Sequence, residues 1–197
     1  MQTTNMQLIR NVKVSVVLLL MTSAVLTSCR RTDNPADANE QEKITTVKLK
    51  LTPTTGGAPV EATWRDLDGP GGNAPQITAL NLRAGVTYNG EIEFKDESKN
   101  PPEDKTEEIE EEGDEHLVSY IVGGNATGRL TITRTDRDKN GLEVGLKYRA
   151  TVSAGPATSG TLRIVLYHYT APARKTSALA PSNEIDIDAT FPVNIAQ

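Results

Sequence analysis

The chain has 197 residues, a formal net charge of −5, only 4% aromatic residues and one cysteine. That length suits one domain able to build its own core. The acidic balance argues against a nucleic-acid partner and against a broad footprint on an anionic membrane surface. A single thiol rules out a disulfide within the chain.

Residues 1–28 read as an export signal. Arg10 and Lys13 supply the positive region, and Val14 to Leu26 form an apolar run too short to span a bilayer as a helix. The run closes on Leu26-Thr27-Ser28-Cys29, which resembles the lipobox of bacterial lipoproteins. The resemblance implies that the Cys29 sulfur receives a diacylglycerol and that the chain is cut just before it. Each buried methylene contributes roughly 0.8 kcal/mol, so two or three acyl chains hold a protein durably on a membrane. Arg30 stands where an inner-membrane lipoprotein of the enterobacterial type carries Asp, which favours the outer membrane. Arg30, Arg31 and Thr32 precede Asp33, which favours the periplasmic face over the cell surface. Removing the signal takes Arg10 and Lys13 with it and moves the net charge from −5 to −7.

The mature chain then divides in two. Residues 29–42 are the lipidated cysteine and a polar tether without apolar periodicity. Residues 43–197 form one domain whose apolar residues recur with a period of two. Val47, Leu49 and Leu51 open the series, followed by Val60, Ala62 and Trp64, by Leu80 and Leu82, and by Val86, Tyr88, Ile92 and Phe94. Leu117 to Val122 is denser. Leu130 and Ile132, the long face Val144 to Val152, and Leu162, Ile164 and Leu166 follow. Ile185, Ile187, Ala189, Phe191, Val193 and Ile195 close the chain. Clusters of Gly, Pro, Asn and Asp separate these runs. No stripe of helical period stands out, and Lys175 to Ala180 has room for one helical turn. The expected fold is all-β, an antiparallel β-sandwich of immunoglobulin-like type with about nine strands, with a β-barrel as the alternative.

Between Glu103 and Glu115 nine residues are acidic: Glu103, Asp104, Glu107, Glu108, Glu110, Glu111, Glu112, Asp114 and Glu115. Such a run is either a solvated strand edge that blocks aggregation or a divalent-cation site. Two loops carry oxygen donors at calcium-like spacing. Asp136, Asp138 and Asn140 before Gly141 match the opening of an EF-hand loop, but Lys147 takes the place of the closing glutamate. Asp66 and Asp68, in the turn running to Asn73, form the second. Both sequences also suit plain turns. No cofactor is required, and Ca2+ is the candidate ion at these loops.

His116 and His168 are the only histidines. His168 falls in register with Leu162, Ile164 and Leu166, so it points inward at a strand end. His116 opens the strand after Asp114-Glu115. If the two strands are neighbours, His116, His168 and Glu115 form a transition-metal or haem-iron site. If not, one caps a strand and the other is hydrogen-bonded in the core. Catalytic signatures are absent: there is no nucleophile elbow, no phosphate-cradling loop and no free thiol.

The run Val60 to Trp64, Asp68-Gly69, Gly72 to Pro75, Leu82, Gly85 to Gly90 and Glu108 to His116 is similar to a group of small uncharacterised envelope lipoproteins of the Bacteroidota, as are the Asp136–Gly141 turn and the Gly160–His168 strand. The resemblance covers most of the mature chain. It implies an envelope lipoprotein and carries over no catalytic residue. A "type 1 periplasmic binding" label attached to such proteins needs two α/β lobes, which this chain does not show. The expected function is a non-enzymatic, lipid-anchored module that binds an envelope protein, a glycan or a small ligand through its loops. The alternatives are a metal-binding lipoprotein, with calcium at the acidic sites or a transition metal at the histidines, and a hydrolase using carboxylates such as Glu112 and Asp114.

Overall fold

A computed structural model describes residues 42–170, 175–176 and 181–197. Along them run eleven strands and one short helix: β1 (Thr46–Pro53), β2 (Val60–Arg65), β3 (Gln76–Ile77), β4 (Leu80–Arg83), β5 (Thr87–Asp96), β6 (Glu103–Asp104), α1 (Thr106–Glu111), β7 (His116–Gly124), β8 (Leu130–Arg134), β9 (Lys147–Val152), β10 (Thr158–His168) and β11 (Glu184–Ala196). They build two sheets. The larger has the order β3-β2-β1-β5-β9-β8, with β6 paired to the far end of β5, and the smaller has the order β4-β11-β10-β7. The sheets pack as a sandwich; among the described residues neither closes into a barrel. All pairs are antiparallel except β11 with β4.

The two-residue alternation is what drives the packing. In β1 the side chains of Val47, Leu49 and Leu51 are fully buried, and in β10 so are those of Leu162, Ile164 and Leu166. Phe94, Phe191, Tyr88 and Tyr148 fill the space between the layers. Each such side chain contributes roughly 1.5–3 kcal/mol by leaving water. Gly90 interrupts β5 because the Tyr148 ring lies over it: a Cβ built there would stand 2.2 Å from a ring carbon.

Three local features depart from the sequence pattern. The acidic run is a strand edge only at its start. Glu103 and Asp104 pair with β5, and the next residues wind into α1, held down by a fully buried Ile109. Six residues are too few to show a periodic stripe, so α1 leaves no trace in the pattern. The two-residue strands β3 and β6 are likewise too short to alternate. Finally, Ile185 does not join the inner face of β11 but is 37% exposed, because the strand carries a bulge there. Residues 1–41, including Cys29 and most of the expected tether, and most of the Lys175–Ala180 stretch lie outside the described residues.

Candidate metal centre

The two histidines meet. β7 and β10 pair with His116 directly opposite His168. Opposed residues of an antiparallel pair place their side chains on one face, and the rings stack with centroids 4.6 Å apart and planes 18° from parallel. Strand parity turns them inward with Val118 and Leu166, and both are almost wholly buried.

Two carboxylates that the sequence reading did not select complete the group. On β11, Ile187 pairs with Leu166 and Ile185 with Tyr167, which leaves Asp186 as the extra residue of a β-bulge. A bulge shifts the side-chain alternation by one position. It turns Ile185 outward and sends Asp186 inward, where its side chain is fully buried. Glu42 comes from just ahead of β1. The sequence reading assigns it to the tether because nothing around it alternates. Its carboxylate nevertheless lies inside the protein, 3.2 Å from His116 Nε2. His116 Nε2 is 3.7 Å from Asp186 Oδ2, and His168 Nδ1 is 3.7 Å from both Glu42 Oε2 and Asp186 Oδ1. One donor atom from each residue lies within 4.8 Å of all the others.

The donors face one another without satisfying one another. Glu42 Oε2, His116 Nε2, both His168 ring nitrogens and both Asp186 oxygens are buried and have no hydrogen-bond partner. Each unpaired polar group of this kind costs about 1–3 kcal/mol, more if charged. Four atoms held about 2.0–2.1 Å from a tetrahedral zinc lie roughly 3.3–3.4 Å apart. The histidine–carboxylate separations of 3.2–3.7 Å are already close to that spacing, and the whole set, spread over at most 4.8 Å, has to contract around an ion. The outer nitrogen of His116 is set for the same task. Its Nδ1–H donates to the Glu112 carbonyl at 3.2 Å, which turns Nε2 toward the carboxylates.

The electrostatics are those of two acids sharing a dry space with two imidazoles. Burial pushes the Asp186 carboxyl up to about 6, against the pull of His168. Burial acts on Glu42 in the same direction, but hydrogen bonding and charge attraction from His116 outweigh it and hold that carboxyl at about 2. The Asp186 carboxylate raises His168. Two acids in one dry space divide in this way because both cannot ionise freely. A divalent cation would neutralise them together.

The other sequence candidates sit elsewhere. Glu112 contributes its carbonyl to His116, while its carboxyl is pushed up by burial and stands outside the four donors. Asp114 is buried and lies 2.9 Å from Lys139 Nζ. Glu115 accepts the Tyr169 N–H at its carbonyl and is not among the four donors. In the EF-like loop, Asp136 accepts the N–H groups of Gly145 and Leu146, and Asp138 Oδ1 accepts those of Asn140 and Leu142. Asp138 Oδ2 stands 2.9 Å from the buried ammonium of Lys175, which also donates to the carbonyls of Gly113, His116 and Glu143. Asp66 accepts the Gly69 N–H, and Asp68 accepts both the backbone and the side-chain N–H of Asn73. These aspartates thus spend oxygens on their own turns, as Asp commonly does.

In the sequence, strand parity turns His168 inward, while His116 is marked only as the residue that opens a strand after Asp114-Glu115. No signal in the sequence singles out Asp186 from Glu184 and Asp188 beside it, because only the bulge distinguishes them. Among the described residues no helix is long and apolar enough to cross a membrane. No protein-family model, no curated protein and no solved structure matches this chain.

Proposed function

We propose that this chain is a lipid-anchored protein of the bacterial envelope whose sandwich carries one divalent transition-metal ion, zinc before others, held by Glu42, His116, His168 and Asp186. The observation that carries the reading is the convergence of buried, unpartnered nitrogen and oxygen atoms at spacings a tetrahedral ion would close. Two imidazoles and two carboxylates suit zinc better than calcium, which asks for six or more oxygens. Four protein ligands in a buried place describe a structural site rather than a catalytic one, which would keep a position open for substrate. The ion's contribution is therefore stability and a fixed geometry, replacing the disulfides that an exported chain with a single cysteine lacks. The anchor rests on Leu26-Thr27-Ser28-Cys29 and the absence of any other thiol.

Full-length protein in detergent, stripped with a chelator and then titrated, tests the centre. One equivalent of Zn2+ should bind with heat and raise the melting temperature, and Co2+ in its place should give the visible absorption of a tetrahedral N/O site. Absence of heat and of any melting shift with zinc, cobalt, manganese, iron and copper would remove the reading. Labelled palmitate fed to producing cells should appear in the mature protein and disappear in Cys29→Ala.

A further inference from the structure

The four donors do not belong to one layer. His116, His168 and Asp186 sit on β7, β10 and β11, neighbouring strands of the smaller sheet, and each is fixed by a hydrogen-bonded ladder. Glu42 is the only donor outside a strand. It lies four positions before β1, which belongs to the larger sheet between β2 and β5. The chain enters that sheet at Thr45, whose N–H donates to the Lys95 carbonyl and whose carbonyl accepts the Asp66 N–H. Between Thr45 and Glu42 the side chains alternate in depth: Ile44 and Glu42 are buried, and Lys43 is exposed, with its ammonium on Ser98 Oγ.

Glu42 meets the smaller sheet through side chains: its carboxylate lies 3.2 Å from His116 Nε2 and 3.7 Å from His168 Nδ1, and it faces the Asp186 carboxyl. We propose that the metal acts as a latch. Bound, it ties the described segment 42–44, just ahead of β1, across to the end of the smaller sheet. Removed, it lets that segment come away while the sandwich stays folded. The inference rests on the metal reading above and adds a consequence to it: metal supply sets whether the chain at Glu42 is gripped by the smaller sheet. The reason is local. The three strand donors keep their positions through their ladders when the ion leaves, whereas Glu42 lies outside any strand and is then held only through its side-chain contacts with the two histidines and Asp186.

Lys43 provides the readout, because trypsin cuts after it only when several flanking residues leave the surface. Full-length protein in detergent is digested briefly with excess zinc and with chelator, and fragments beginning at Ile44 are quantified by mass spectrometry. Cleavage within β1, after Lys48 and Lys50, reports global unfolding in the same sample. At zinc ten times its dissociation constant, the open population and the rate of cleavage after Lys43 should fall by up to about tenfold, less to the extent that the three strand donors hold zinc in the open form, with cleavage in β1 slow in both conditions. Glu42→Gln should still take up zinc through the three strand donors, more weakly, and should be cut after Lys43 whether or not zinc is present. His168→Gln, which leaves Glu42 and two other donors in place, should take up zinc more weakly and should regain protection after Lys43 only at correspondingly higher zinc. One equivalent of bound zinc with unchanged cleavage after Lys43, or full protection in Glu42→Gln, overturns the latch and leaves the metal centre standing. No zinc uptake by the wild type overturns both.

Discussion

Replacing Asp186 by asparagine should change stability in opposite directions with and without metal. The side chain is fully buried, and its carboxyl is pushed from an ordinary value of 3.8 up to about 6. A carboxyl raised on folding is a folded-state penalty. It is absent below about pH 4, grows as pH rises, and is fully present above the raised value. Its size at pH 7 is the shift times 1.36 kcal/mol per unit, about 3 kcal/mol. Coulomb's law agrees in scale: two carboxylates 4–5 Å apart repel by about 3–4 kcal/mol at an effective dielectric of 20. Asparagine keeps the shape and supplies an N–H toward Glu42. In chelator at pH 7, Asp186→Asn should therefore melt higher than wild type. For a domain of this size about 2–4 °C accompanies each kcal/mol, so the gain is about 6–12 °C. In zinc the order should reverse. Wild type gains about 4 kcal/mol at a thousandfold excess over its dissociation constant, while the variant has lost a charged ligand. Differential scanning calorimetry of the two proteins in the two buffers reads all four values. If Asp186→Asn melts lower than wild type by the same margin in both buffers, the four residues form a self-sufficient hydrogen-bonded network and the ion-cradle argument fails.

Lys175→Met should cost about 3–5 kcal/mol in urea denaturation, because it leaves the Asp138 carboxylate and three carbonyls facing a buried methyl group. Adding Asp138→Asn should return part of that loss, and an additive double variant would show that the two groups do not interact. The Asp138 carboxyl is pushed up by burial, but Lys175 and the N–H groups of Leu142 and Asn140 outweigh this and hold it below the usual range. A depressed carboxyl contributes stability that is present above its unfolded value near pH 3.9 and is lost as pH falls through its folded value. Urea midpoints should consequently drop more steeply between pH 5 and pH 2 in wild type than in Asp138→Asn. Gly90→Ala should destabilise by about 1–3 kcal/mol by displacing the Tyr148 ring, and Tyr148→Leu in the same chain should recover part of it; an unchanged midpoint for the single variant would contradict the close approach.

The sandwich was legible in the sequence because each long strand repeats one instruction many times. Val144 to Val152, or Leu162 to Leu166, can bury its apolar side only by lying in a sheet with that side inward. Such local, redundant information survives reading in one dimension. Parity along β10 also showed that His168 points inward, and the acids ahead of His116 marked a polar end to β7. What the sequence lacked was redundancy at single positions. The helix α1 has six residues and one buried anchor, Ile109, too little for a period to emerge.

The candidate centre shows the division most clearly. One-dimensional alternation turns His168 inward, but only the pairing of β7 with β10 sets His116 against it. Asp186 reads as an outward residue of β11 until the bulge, which depends on how β10 and β11 register, reverses it. Glu42 lies in a stretch without pattern, and only the stacking of one sheet on the other carries its carboxylate to the histidines. Side-chain periodicity is a property of the local backbone and is written in sequence. Convergence of four donors from distant segments depends on strand order, register and layer packing, which only the folded chain decides.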